Sequence, residues 1–504
     1  MDGKLAFDKL LEQTDFSDAH SIESYAVHLE GMTFRDILDL GIMPPDSTEK
    51  NFANKRFKGG MGNLIEERFF GYKSNSDDRP DFPDAGVELK ATCYDIRKKD
   101  HKPSAGERLV ITMIPYDRAI SADFYSSHLW TKCSNILLIY YQRDRAIDKY
   151  DQIIRHTVLF TPPKKDLAII EDDYRTIVRY IQEGRADELS EGLTTYLGAC
   201  TKGSTEAKMW AEQFYPRIDP VTGEKSWTKA KRRAFSFKRQ YMDYVLNNYV
   251  LGSRSTCDHI IASNMGAMGF EDYVSSLIMQ HVGKTDQELA KMYNLDYTGN
   301  KAQWTQIAYR MLGVKGNSAE EFIKSGTSIR VVRVMENNHM KESLSFAPFE
   351  FKDLLKEEWE TSTLRSYLET SKFFFVTFKQ HGDTYRLQGC RLWSMDGIDI
   401  EIHARACWDE TRRIIDKGVK LNLEYRADGK FIISNNLPKT SDNPVMHVRP
   451  HASRAAYLLT DGTQIGDIEH DASELPDGRY MTKQSFWLNR SYVERILGLN
   501  EQPV

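Results

Sequence analysis

No apolar run in this chain approaches the roughly 20 residues a membrane span requires, and no two cysteines stand at CxxC spacing. The six that exist, Cys93, Cys133, Cys200, Cys257, Cys390 and Cys407, are scattered and lack a neighbouring histidine pair. That excludes a zinc ribbon and suits reduced thiols in an intracellular compartment. The opening Met1-Asp2-Gly3-Lys4-Leu5 has no signal-peptide character, so a cytoplasmic location and no membrane partner are expected. Excess positive charge is also missing: the net charge is -5, which on its own does not suggest nucleic acid.

The charge is unevenly spread, however. Residues 1–50 carry 4 basic and 11 acidic side chains, whereas residues 201–250 carry 10 basic and 5 acidic. From Lys225 to Arg239 there is no acid, and Lys225, Lys229, Lys231, Arg232, Arg233, Lys238 and Arg239 alternate with Trp227, Phe235 and Phe237. Such a stretch suits phosphate contacts along a nucleic-acid backbone, or equally a solvated basic surface. With 504 residues the chain is long enough for two to four domains.

The pattern richest in chemistry is Arg79-Pro80-Asp81-Phe82-Pro83-Asp84-Ala85-Gly86-Val87-Glu88-Leu89-Lys90-Ala91-Thr92. Alternation puts Val87, Leu89 and Ala91 on one face of a strand and Glu88 and Lys90 on the other, where Asp81 can reach them from the preceding turn. This is the PD-(D/E)xK arrangement of metal-dependent nucleases. Asp81 and Glu88 would give carboxylate oxygens to Mg²⁺, the carbonyl of Leu89 a third, and Lys90 would orient water and offset phosphorane charge. Acid-x-Lys triplets also occur at Asp2, Asp100, Glu350 and Asp428, as solvated charges; an ion pair on an edge strand is the plain alternative at Glu88 as well. Context separates this one, including a run from Leu109 to Tyr116 expected to pair with it as a hairpin.

Five features recur in the same order more than 200 residues apart. Gly31–Leu38 resembles Gly283–Ala290, Arg68–Gly71 resembles Arg310–Gly313, and Ala85–Lys90 resembles Ser325–Arg330. Tyr174–Gly184 resembles Trp408–Gly418, and Phe235–Tyr241 resembles Tyr480–Phe486. In the second copy Ser328 replaces Glu88 and Arg330 replaces Lys90, so the chemistry is gone. The expected architecture is α/β with an α+β-type mixed sheet in two tandem units: a catalytic domain over 1–250, a linker over 251–262 and a degenerate domain over 263–504.

The motifs Gly62-Asn63-Leu64-Ile65-Glu66, Pro80 to Lys90, Glu107-Arg108-Leu109-Val110, Leu189 to Leu197, His447-Val448-Arg449-Pro450-His451 and Met481 to Asn489 together resemble the MutH family. Within it they most resemble the GATC-cutting restriction branch of the Sau-three-A-I type. The resemblance implies a bacterial type II restriction endonuclease acting on double-stranded DNA with Mg²⁺, cutting before the G and leaving 5′-phosphate ends. It implies catalytic roles for Glu66, Asp81, Glu88 and Lys90, with Lys132 near the scissile phosphate. It further implies DNA contacts from Lys202, Arg449, His451 and Tyr480; Lys238 of the basic run and Lys483 are also expected to contact DNA, and because one active site cuts one strand at a time, a monomer that pairs on DNA is expected, with the second domain as allosteric effector. The alternatives are a nicking mismatch-repair endonuclease and, in a different class, a non-catalytic GATC-binding protein.

Overall fold

The computed structural model describes residues 2–40, 60–72, 78–97, 100–202, 209–253, 257–260, 268–341, 343–425 and 431–499. It divides into two compact units: Met1–Cys257 with Ser263–Phe270 and Glu320–Gly326, and Asp258–Ala262 with Glu271–Ala319 and Thr327–Val504. Of the expected linker over 251–262, residues 254–256 and 261–262 lie outside the described residues. Among the described residues no helix is long and apolar enough to cross a membrane.

In the first unit, in chain order, come α1 (Gly60–Arg68), β1 (Glu88–Ile96), β2 (Pro103–Ala105), β3 (Leu109–Met113), α2 (His128–Cys133), β4 (Ile136–Gln142) and β5 (Ile153–Phe160). They are followed by α3 (Lys164–Gln182), β6 (Leu197–Thr201), β7 (Arg233–Phe237) and α4 (Arg239–Tyr244). One mixed sheet has the order β2-β1-β4-β5, with β1 parallel to β4 and β5 antiparallel to β4. A second, antiparallel sheet has the order β3-β7-β6. The run Ile136-Leu137-Leu138-Ile139-Tyr140 is wholly buried, as expected of a central strand covered on both faces. Phe69, Phe70, Phe82 and Val87 join Leu137 and Ile139 in one apolar cluster that holds the entrance of β1 against α1.

Here the hairpin expected between the catalytic strand and Leu109–Tyr116 is not found. β3 pairs with β7, more than 100 residues later, and β1 instead takes β4 and the short β2. The apolar run Ile136–Tyr140 of β4 is buried beside β1; β3, with Val110, Thr112 and Met113 less covered, goes to the smaller sheet.

The second unit contains α5 (Lys301–Met311), β8 (Thr327–Val334), β9 (Leu344–Phe349), α6 (Thr363–Thr370), β10 (Lys372–His381) and β11 (Thr384–Trp393). After them come α7 (Arg405–Lys417), β12 (Met446–Pro450), β13 (Gln484–Leu488) and α8 (Arg490–Ile496). Its sheets run β8-β10-β11, again a parallel then an antiparallel pair, and β9-β13-β12, all antiparallel. Details agree as well: Gly31, Gly71 and Gly86 have φ of 90°, 73° and 65°, and Gly283, Gly313 and Gly326 have 87°, 78° and 68°. The Gly31 N–H donates to Ile154 O at 2.9 Å and the Gly283 N–H to Leu387 O at 2.9 Å.

One pairing of the sequence repeat needs correcting. Phe237 and Leu488 each end the central strand of the second sheet, immediately before the residue preceding the terminal helix, so Phe235 corresponds to Phe486 and not to Tyr480. The expected pairing was six residues out of register because both segments interleave aromatic and basic residues.

Candidate active site

Entry into β1 is set by a tight reversal. Phe82 donates to Val87 O at 2.9 Å and Val87 to Phe82 O at 3.1 Å, with Gly86 in the left-handed conformation its lack of a Cβ permits. The reversal folds Asp81 back beside the strand, where its Oδ2 accepts the Leu89 N–H at 2.8 Å. Glu88 is 2% exposed and is held by two ammonium groups, Lys90 from its own face of the strand and Lys132 from α2, the latter at 3.1 Å to Oε2. Ser127 caps α2 by accepting the Trp130 N–H at 3.1 Å, which fixes the turn that points Lys132 inward. Two cations on one buried carboxylate offset a charge that burial alone would disfavour.

Glu66 lies two residues before the end of α1 and is half-buried. Burial, and after it the Asp81 carboxylate, pushes its acid up to about 7. Asp81 is itself raised, by burial first and Glu88 second. Tyr72, which the motif analysis missed, belongs to the same neighbourhood: its N–H donates to Glu66 O at 3.2 Å and its ring meets Phe82 at 5.4 Å. Its buried hydroxyl has no hydrogen-bond partner among the described residues, and burial together with Asp81 raises it strongly. Nothing in the sequence marks it, since it follows the helix and carries no motif spacing.

Glu66, Asp81 and Glu88 thus crowd together, their negative charge countered by Lys90 and Lys132. Among the described residues no three His, Cys, Asp or Glu side chains are grouped closely enough to hold a metal alone. Two carboxylates and a strand carbonyl nonetheless fit a hard divalent cation, which keeps water in its remaining positions. The raised acids fit it too, because each would ionise more readily beside a cation.

A model of the family "DNA mismatch repair enzyme MutH" matches residues 70–173, the segment that carries β1 and α2. The type II restriction enzyme Sau3AI of Staphylococcus aureus is 33% identical over 468 residues, 88% of this chain and 92% of that protein. The chain belongs to the MutH family, on its Sau3AI-like branch. DNA mismatch repair proteins MutH are more distant. That of Actinobacillus pleuropneumoniae serotype 3 is 24% identical over 196 residues, 39% of this chain and 80% of its own length. That of Shewanella woodyi is 29% identical over 168 residues, 33% and 68% respectively. This MutH-family chain is therefore an enzyme, a site-specific DNA endonuclease of the restriction type.

The remaining expected site residues do not gather at the carboxylates. Lys202 is half-buried at the end of β6, its N–H on Arg232 O at 2.8 Å. Lys238 is not available to DNA: it is 5% exposed and its ammonium is spent on Thr194 O, because the strand before it ends at an inward helix start. The basic run is thereby narrowed, since Lys229 pairs with Glu212, Arg233 and Arg239 donate to backbone carbonyls, and Lys225, Lys231, Arg232 and Trp227 stay exposed. In the second unit Arg449 is exposed with its guanidinium 4.7 Å from the Trp487 ring. The His451 ring is held by Ser485 Oγ at 2.7 Å, Lys483 donates to His470 O at 2.8 Å, and Tyr480 is half-buried in a short strand.

Proposed function

We propose that the protein is a type II restriction endonuclease that hydrolyses double-stranded DNA at GATC, cutting before the G and leaving 5′-phosphate and 3′-hydroxyl ends. The observation that carries this reading is the meeting of Asp81, Glu88, Lys90 and Lys132 at the entrance of β1. Asp81, Glu88 and the Leu89 carbonyl would hold Mg²⁺, which when bound supplies positive charge against the phosphate and acidity to a water. Leu89 pins Asp81 through its N–H. Lys90 orients the attacking water and counters charge on the phosphorane, and Lys132 positions Glu88 beside the scissile phosphate. Glu66 takes up a proton through water, a role supported by burial, which makes it a weaker acid than an ordinary glutamate.

In the same reading the second unit is a degenerate copy of the first, with Ser328 and Arg330 in place of Glu88 and Lys90. It binds a further GATC and stimulates the first, Arg449 and Lys483 facing DNA. One active site cuts one strand, so the protein is a cytoplasmic monomer when free and pairs on DNA. The test is digestion of one-site and two-site plasmids with the ends sequenced. Faster cutting of two-site DNA, with ends at the G of GATC, is expected; nicking without linearisation, or binding without cleavage in Mg²⁺, would overturn the reading.

A further inference from the structure

Within the second unit, a small cavity of about 140 Å³ lies where α5, β8 and the chain entering β9 meet. β8 is the outer strand of its sheet, and beyond it a tight turn brings the chain back. Val334 bridges Met340, and the Lys341 N–H donates to Arg333 O at 3.0 Å. That return is why Lys341, Ser343 and Ser345 line the same space as Arg330 and Arg333, with Thr305 contributed by α5. Two aromatic rings steady the cations: the Arg330 guanidinium lies 5.7 Å from the Phe373 ring and that of Arg333 5.9 Å from the Trp304 ring.

The lining holds three cationic side chains and, among the described residues, no acid and no histidine. Sequence accounts for that sign: α5, β8 and β9 contain no Asp or Glu, whereas α1 and β1, matched to α5 and β8 in the proposed pairing of the halves, carry Glu66, Glu67, Glu88 and Asp95. Two acids touch the turn without lining the cavity. Glu336 accepts the Gly382 N–H at 2.8 Å, and buried Glu494 accepts the Met340 N–H at 2.7 Å. Glu342 lies outside the described residues. Arg330 and Lys341 form no ion pair among the described residues. A metal cation is therefore repelled here, and an apolar ligand would strip water from the charges and return nothing. A whole nucleotide asks for more room, since pockets for such molecules run roughly 300–1,000 Å³. A tetrahedral oxyanion meets both limits, with the hydroxyls of Thr305, Ser343 and Ser345 to complete its hydrogen bonds. We propose that this cavity is a phosphate site, Arg330, Arg333 and Lys341 supplying positive charge where the first unit gathers carboxylates. The phosphate is either one of a DNA backbone or a free ion. Only the first source rests on the reading of the second unit as a DNA-binding copy.

Equilibrium dialysis of the full chain against radiolabelled inorganic phosphate in EDTA tests the site without involving cleavage. Saturable binding is expected, weakened about tenfold in Lys341→Gln and in Arg330→Gln. Lys341 is exposed, so its replacement leaves the fold intact even if that of Arg330 does not. Glu342→Gln should not weaken binding; a loss there would mean that the site needs an acid and takes a cation, which overturns the proposal. A GATC duplex added to the dialysis then identifies the source. Displacement of phosphate by the duplex means a backbone phosphate, and phosphate retained beside bound duplex, or with no duplex bound, means a free ion. The proposal is also overturned by phosphate binding that is unchanged in both variants. It fails equally if no phosphate binds and the salt slope of duplex binding is the same in Lys341→Gln, where a lost phosphate contact would lower it by about one.

Discussion

The segments Glu88-Leu89-Lys90 and Ser328-Ile329-Arg330 enter their sheets alike, after a glycine with positive φ, parallel to a buried apolar strand and with an antiparallel strand beyond. Their chemistry differs. Glu88 is pinned by two ammonium groups, whereas Arg330 Nε is buried and has no hydrogen-bond partner among the described residues. In the proposed pairing of the two halves, Glu66 is matched by Ala308, which is fully buried, and Lys132 by Tyr367, five residues after the capping serine in each case. The comparison teaches that this frame is maintained by glycine turns and apolar strands, Leu137 and Ile139 in one unit and Phe373 and Phe375 in the other, and not by the polar groups it displays. Catalytic groups are then free to be lost.

The sharpest way to break this comparison is to make the first unit resemble the second. Asp81→Ala, Glu88→Ser and Lys90→Ala should each lower cleavage on the order of a thousandfold. Binding of a GATC duplex, measured by gel retardation in EDTA, should change little. The matched changes Ser328→Ala and Arg330→Lys should leave the chemical step on one-site DNA intact. Cleavage by a variant lacking Asp81, Glu88 and Lys90 together would show that the difference between the strands does not matter.

Lys132 tests stability more than chemistry. Removing it leaves buried Glu88 with one counter-charge in place of two, which should cost about 2–4 kcal/mol in urea denaturation at pH 8. Tyr367→Phe, the corresponding change, should cost under about 0.5 kcal/mol, since Tyr367 packs through its ring against Phe346 and Phe373. Equal costs would mean that Lys132 is a surface lysine in effect.

Much of this asymmetry was legible in the residues alone. Strand alternation places Glu88 and Lys90 together, and the Pro-Asp step reaches them because the reversal at Gly86 is so short. What depends on distant chain was not legible. β3 finds its partner in β7, and no local pattern announces that. Lys238 reads as part of a basic face because its neighbours do, yet a helix start turns it inward. Tyr72 bears no motif, and only the packing around Phe82 brings it to the carboxylates. Glu66 needed the family resemblance, since a glutamate next to Glu67 and Arg68 looks solvated.

The Glu66–Ala308 difference predicts a pH term confined to one unit. The acid of Glu66 sits near 7 in the folded chain against 4.5 ordinarily. Between those values the folded chain keeps a proton that the unfolded chain has released, so stability falls as pH rises through the window and is level above it. The loss is on the order of 3 kcal/mol. In EDTA, Glu66→Gln should flatten the pH dependence of urea denaturation between pH 4.5 and 7 and stabilise the protein at pH 8. A variant curve parallel to that of the parent would assign the term to another group.

The smallest expected effect concerns the two edge strands. At corresponding register, Arg449 is exposed over Trp487 whereas Cys200 is 1% exposed, so only the second unit offers a cation there. A single phosphate contact contributes about one to the slope of log K against log salt. Arg449→Ala should therefore lower that slope by about one in EDTA and weaken binding to GATC and unrelated duplexes alike. If instead the loss falls only on GATC, by about 1–3 kcal/mol, Arg449 reads a base edge and not the backbone. Cys200→Ala, by contrast, should leave both slope and affinity unchanged, because its side chain is buried away from the surface that DNA would meet.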